Sequence, residues 1–95
     1  MLIYVDIDGT ICEGDSGYIN SIPIIENIQK INKLYDEGNT IVYWTARGKA
    51  SGIDWSELTT YQLIKWGCKF HDIIINQKPN YDLLICDKTK RIEEL

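Results

Sequence analysis

The chain has no stretch approaching about 18 consecutive apolar residues, so a membrane-spanning helix is not expected. Positive charge is scarce: ten Lys and Arg stand against fourteen Asp and Glu, a net charge of −4, and no long basic cluster occurs. The densest basic group, Lys88-Thr89-Lys90-Arg91, reads as a solvated tail. That balance argues against nucleic acid as a partner. There is one histidine, His71, and it is followed by a predicted strand at the edge away from the expected site. The three cysteines, Cys12, Cys68 and Cys86, are odd in number and form no C-x-x-C pair. They read as reduced thiols of a cytoplasmic protein rather than a disulfide frame or a zinc site. A strand beginning at residue 2 leaves no signal peptide to expect. Repeats, low-complexity segments and linkers are absent as well.

What is present is one domain's worth of chain. Ninety-five residues lie near the lower end of what builds its own core, and 44% hydrophobic with 25% charged residues is an ordinary globular mixture. Four short, nearly continuous apolar runs predict strands at Leu2–Asp6, Thr40–Thr45, Asp72–Ile75 and Leu83–Asp87, as parallel strands buried on both faces require. Pro23 suits a helix first turn, and Ile24, Ile28, Ile31 and Tyr35 then recur on one stripe as far as Gly38-Asn39. Asp54 and Glu57 make a capping-box-like start to a second helix ending at Trp66-Gly67. The order β-α-β-α-β-β predicts an α/β fold with the strand C-terminal ends on one edge, where such sheets bind ligands.

Chemistry-bearing residues stand at those ends. Asp6-Ile7-Asp8-Gly9-Thr10 follows an apolar strand directly, and residues two apart on a strand point the same way with Cα atoms about 7 Å apart. Two acids in one small space shift each other's pKa, which a fold does not need but a metal ion or a phosphoryl-transfer step can use. Thr45 closes the second run and is followed by Ala46-Arg47-Gly48. Lys78 follows the third, and Cys86-Asp87 end the fourth. A carboxylate can accept a phosphoryl group, a second acid can move protons, and a hydroxyl and an ammonium can hold phosphoryl oxygens. Paired carboxylates suit Mg²⁺, which takes oxygen ligands.

In this set the chain resembles the haloacid dehalogenase (HAD) superfamily of phosphohydrolases. Asp6-Ile7-Asp8-Gly9-Thr10 is similar to the family's first motif, D-x-D-G-T. Thr45 after Ile41-Val42-Tyr43-Trp44 resembles the second, Lys78 the third, and Asp87 after Leu83-Leu84-Ile85 the acidic fourth. The resemblance implies a single Rossmann-like three-layer domain over residues 1–95. Its sheet would be mainly parallel, with about four strands in the order 3-2-1-4, helices on both faces, and no cap domain. It implies a Mg²⁺-dependent phosphatase in which Asp6 is nucleophile and Mg²⁺ ligand. Asp8 would be the general acid/base, with its backbone carbonyl on the metal. Thr45 and Lys78 would bind the phosphoryl group, and Asp87 would complete the metal site. Many relatives have two acids where this chain has Cys86-Asp87, so the acidic cluster is thinner here.

Thr45-Ala-Arg-Gly48 and Lys78-Pro79 look like a capless branch often linked to sugar-phosphate metabolism, which makes a small phosphorylated metabolite the expected substrate. Arg47 could reach an acidic or phosphate group of that substrate, or it could be a surface residue. Residues Ile11–Ser21 and Lys49–Ile53 are expected as flaps over the pocket, with an oligomer interface or a large substrate excluding water in place of a cap. Asp15, Asp54 and Asp82 read as turn, cap and structural residues, and Trp44, Trp55 and Trp66 as core. Two other functions stay open. One is a nucleotidase or nucleic-acid end-phosphatase. The other is a binding or receiver-like module that accepts phosphate without turnover, although a receiver needs an Asp where Ile73-Ile74-Ile75-Asn76 stands.

Overall fold

Four strands form where the apolar runs predict them, and two short ones, at Cys12–Glu13 and Ile22–Pro23, were not expected. In the computed structural model, residues 1–14, 17–48, 51–75 and 83–85 are described, with Leu83 and Leu84 described by backbone alone. The order is β1 (Leu2–Asp6), β2 (Cys12–Glu13), a 3₁₀ turn (Tyr18–Asn20), β3 (Ile22–Pro23), α1 (Ile25–Asp36), β4 (Thr40–Thr45), α2 (Ser56–Lys65), β5 (Asp72–Ile75) and β6 (Leu83–Ile85). Four strands pair as β5-β4-β1-β6, all parallel, and β2 and β3 make a separate antiparallel pair. The fold is therefore α/β on a parallel sheet, with β1 at its centre. Parallel pairing brings the C-terminal ends of these strands to one edge.

The layering differs from the expectation. Ile3, Val5, Ile41, Tyr43 and Ile85 are in register across the sheet and lie on one face of it, since alternate residues share a face. They form one buried cluster with Ile28 and Ile31 of α1 and Leu63 of α2. Both described helices thus cover the same face, and among the described residues no helix covers the other. Strand order explains this. The crossovers β1–α1–β4 and β4–α2–β5 step in the same direction, and two crossovers of the same right hand then put their helices on the same side. α1 is also tied to the segment that follows α2: Asn32 donates to the Gly67 carbonyl (2.9 Å) and accepts from the Lys69 amide (2.8 Å).

Two predicted helix starts move. Pro23 lies in β3, paired with Cys12, and α1 begins two residues later. A residue that cannot donate a backbone hydrogen bond is tolerated in so short a strand. Asp54 stands outside α2, whose N-cap is Trp55. Its Oδ1 accepts from the Ser56 hydroxyl (2.6 Å) and amide (2.9 Å), a local turn that ends just before the helix. His71 is placed at the opposite edge, as expected. Its Nδ1 accepts from the Ile41 amide (3.0 Å), its own amide donates to the Ile41 carbonyl (2.8 Å), and its ring stacks on Tyr35. The bonds leave His71 a clamp on the entry of β4.

Among the described residues two thiols, Cys12 and Cys68, are free of disulfides and pack in or against the core. Burial pushes Cys12 up to about 12 from an ordinary 9.0, with the charge of Asp8 adding to the rise, and burial pushes Cys68 up to about 11. Above pH 9 the unfolded chain therefore releases these protons while the folded chain keeps them. Stability from both thiols is complete below pH 9 and falls as pH rises toward 11 and 12, by at most about 1.4 kcal/mol per pH unit for each. Urea midpoints measured from pH 8 to 11 should fall progressively, and Cys12→Ala with Cys68→Ala should flatten the decline.

Candidate active site

Asp6 is the last residue of β1, half-buried, and its Oδ1 accepts from the amide of Ile7 (3.0 Å). Ile7 is fully buried, so it anchors the strand end between the two acids. The chain then turns through Gly9, at φ 86°, a conformation that other residues adopt at a cost. Backbone bonds from Thr10 and Ile11 to the Ile7 carbonyl (3.2 and 3.0 Å) and from Gly9 to the Cys12 carbonyl (2.9 Å) fix the turn. Asn27 in the first turn of α1 donates to the Thr10 carbonyl (2.8 Å), so the helix braces it from behind. The Thr10 hydroxyl is buried and finds no partner among the described residues.

Thr45 ends the neighbouring strand, one register step beyond the pair Asp6–Trp44. It is buried, and its Oγ1 accepts from the Arg47 amide (3.1 Å). This small turn aims the Arg47 side chain back beneath the site.

Arg47 is 1% exposed and, among the described residues, is the most connected side chain. Its Nε and Nη2 grip Asp8 at both carboxylate oxygens, 2.9 and 2.7 Å. Its Nη1 donates to Gln62 Oε1 (2.6 Å) and Thr59 Oγ1 (3.2 Å), both on α2. Nη2 also reaches the Cys12 sulfur at 3.9 Å, and the Tyr18 ring lies 4.6 Å from Cζ. Burial opposes the charge, but the hydrogen bonds and charge of Asp8 outweigh it and hold the Arg47 pKa above its ordinary value. Gln62 in turn donates to the Tyr18 carbonyl (2.6 Å).

The two expected flaps take shape around this centre. β2 and β3 form the base of the first, with the 3₁₀ turn at Tyr18 between them. The second, expected over Lys49–Ile53, is described from residue 51 onward and leads into Trp55. They meet where Tyr18 and Trp55 pack edge to face, ring centres 5.0 Å apart. A depression of about 280 Å³ opens beside them, with Arg47 at its back and Gly48, Ile53, Asp54, Trp55 and Ile75 on its walls. The Ser56 hydroxyl and amide hold the exposed Asp54 carboxyl below its ordinary pKa. Trp55, read from sequence as core, is half-buried at this rim.

Of the predicted site residues, Asp6, Asp8, Thr45 and Arg47 are placed at the C-terminal edge of the sheet. Lys78, Cys86 and Asp87 lie outside the described residues. Tyr18, Thr59 and Gln62 were not among the candidates. Thr59 and Gln62 are three apart on the inward side of α2, beside Leu63. Two polar residues sharing a helix face with an apolar one are a legible sign that a buried polar group lies opposite.

Among the described residues no group of three or more His, Cys, Asp or Glu converges as a metal site. The donor chemistry that is present still suits Mg²⁺, which needs only one or two carboxylates and keeps several waters. Asp6 offers a half-buried carboxylate and Asp8 a backbone carbonyl. No helix among the described residues is long and apolar enough to cross a membrane.

No protein-family model matches the chain, and no curated protein does. A crystal structure of a target protein from Vibrio cholerae is similar, with a TM-score of 0.74 and 24% identity over 82% of this chain and 71% of that one. At that identity the likeness establishes the α/β fold.

Proposed function

We propose that the protein is a Mg²⁺-dependent phosphomonoester hydrolase of the HAD type, working through an aspartyl-phosphate on Asp6. The observation that carries this reading is Asp6 at the end of β1, followed two residues on by Asp8 held at both carboxylate oxygens by Arg47, with Thr45 ending the adjacent β4. Asp6 Oδ attacks phosphorus and the bond to the leaving oxygen breaks. Asp8 lies two residues on, where a carboxyl can protonate that oxygen and later take a proton from the attacking water. Thr45 Oγ1 accepts from the Arg47 amide, which leaves its own O–H to donate to a phosphoryl oxygen. Lys78 is assigned the ammonium contact to the same group and Asp87 the second acidic ligand. Mg²⁺, held by Asp6, the Asp8 carbonyl and Asp87, would neutralise charge on the phosphoryl oxygens.

The leaving group belongs in the depression beside Trp55 and Asp54. An aromatic wall with a carboxylate acceptor suits a small polyhydroxylated moiety, so sugar phosphates are the favoured substrate class and mononucleotides the alternative. The activity belongs in the cytoplasm, and a second copy of the chain could shield the site in place of a cap.

Purified protein should release many phosphates per chain from at least one sugar phosphate or nucleotide in a panel with Mg²⁺, and EDTA should stop release. A single labelling event from a phosphodonor, with no turnover, would instead identify a phosphate-accepting module.

A further inference from the structure

We infer that Arg47 is a positioning residue that fixes the Asp8 carboxylate for proton transfer and whose guanidinium offers the substrate no hydrogen-bond donor. This assignment rests on the hydrolase reading above.

A guanidinium has five N–H donors, and here each has an acceptor inside the protein. Nε serves Asp8 Oδ2, the two Nη1 protons serve Thr59 and Gln62, and Nη2 serves Asp8 Oδ1 and reaches Cys12. The side chain has no exposed surface, whereas the Asp8 side chain is 40% exposed. The pair is therefore asymmetric, with the acid facing the site and the base behind it. A substrate phosphate or carboxylate could engage Arg47 only by displacing Asp8, Thr59 or Gln62, so the substrate-binding role expected for Arg47 has no donor left to serve it.

The bidentate contact fixes more than distance. A planar fork meeting both carboxylate oxygens sets the plane of the carboxylate as well as its position. Thr59 and Gln62 hold the far side of the guanidinium, and Tyr18 covers its face. Asp8 is thereby tied to α2 and the first flap. A proton-transfer group displaced by about 1 Å can lose on the order of a hundredfold in rate, which is the effect Arg47 prevents. Lysine cannot replace the fork, since an ammonium offers no planar pair of donors.

The test compares wild type with Arg47→Lys, Arg47→Met and Thr59→Val on 4-nitrophenyl phosphate and the best substrate of the panel, with melting temperatures alongside. Arg47→Met should lower kcat roughly 100- to 1000-fold with KM within about threefold of wild type. Arg47→Lys should recover only part of that loss. Thr59→Val is nearly isosteric and far from any substrate contact, and it should lower kcat by about three- to tenfold at unchanged KM. If Arg47→Met does not fold, the other two variants carry the result. A raised KM with kcat preserved would make Arg47 a substrate ligand and overturn the inference. So would wild-type kcat in folded variants. If wild type itself releases no phosphate, the hydrolase reading falls and takes the inference with it.

Discussion

Asp6→Asn should eliminate phosphate release while leaving the melting temperature close to that of wild type. The amide is nearly isosteric with the carboxylate, and its carbonyl oxygen can still accept from the Ile7 amide as Asp6 Oδ1 does at 3.0 Å. Asp6 is half-buried at a strand end, outside the cluster that carries the core. What the substitution removes is the anionic oxygen that must bond to phosphorus. Loss of a covalent nucleophile has cost on the order of a millionfold in kcat where it has been measured, so the variant should fall below detection in a steady-state assay. Phosphate release with Mg²⁺, read beside circular dichroism, decides the matter. Retained turnover in a folded Asp6→Asn protein would refute the aspartyl-phosphate route. Lost turnover accompanied by a large drop in melting temperature would show that Asp6 holds the fold as well as the chemistry.

That expectation was legible in the sequence because it depends on local facts. Leu2-Ile3-Tyr4-Val5 must be a buried strand, and the two acids and glycine that follow must leave it at one edge. β4 and β5 are legible for the same reason and span the residues their apolar runs predict, whereas the two-residue strands β2 and β3 have no apolar run to announce them. The expected helices on both faces fail for the described residues on a point that strand order already contains, since stepping outward from β1 to β4 to β5 sends both crossovers to one side. Helix starts depend on finer competition. Pro23 and Asp54 each suit a helix start, yet the first pairs with Cys12 and the second closes a turn on Ser56. Least legible was the role of Arg47. Its partners lie 39 residues back at Asp8 and 12 and 15 residues ahead at Thr59 and Gln62. Only the packing of α2 beside the end of β4 brings them together.

Gly48, next to Arg47, is where backbone and site are most tightly joined, and Gly48→Ala should cost about 2–5 kcal/mol. Two penalties add. Gly48 sits at φ +87°, where a side chain costs about 1–2 kcal/mol. A Cβ there would also land on the Ile53 carbonyl oxygen, with Trp55 Cδ1 3.1 Å away, and forcing atoms into a filled space typically costs another 1–3 kcal/mol. The Gly48 carbonyl accepts from the Gly52 amide at 2.8 Å, so the loop cannot simply open without losing its closing bond. Gly52→Ala is the internal control. Its φ is +74°, yet nothing lies within 4 Å of an added Cβ, so only the conformational part of the cost applies. Urea unfolding should therefore rank Gly48→Ala well below Gly52→Ala in stability. Displacing the rim moves Trp55, which packs on Tyr18 above the Arg47 guanidinium, so kcat should fall in Gly48→Ala even under conditions where the variant is fully folded. Equal stability of the two variants would mean that the rim is not closed on Gly48, and the wall of the proposed leaving-group depression would have to be redrawn.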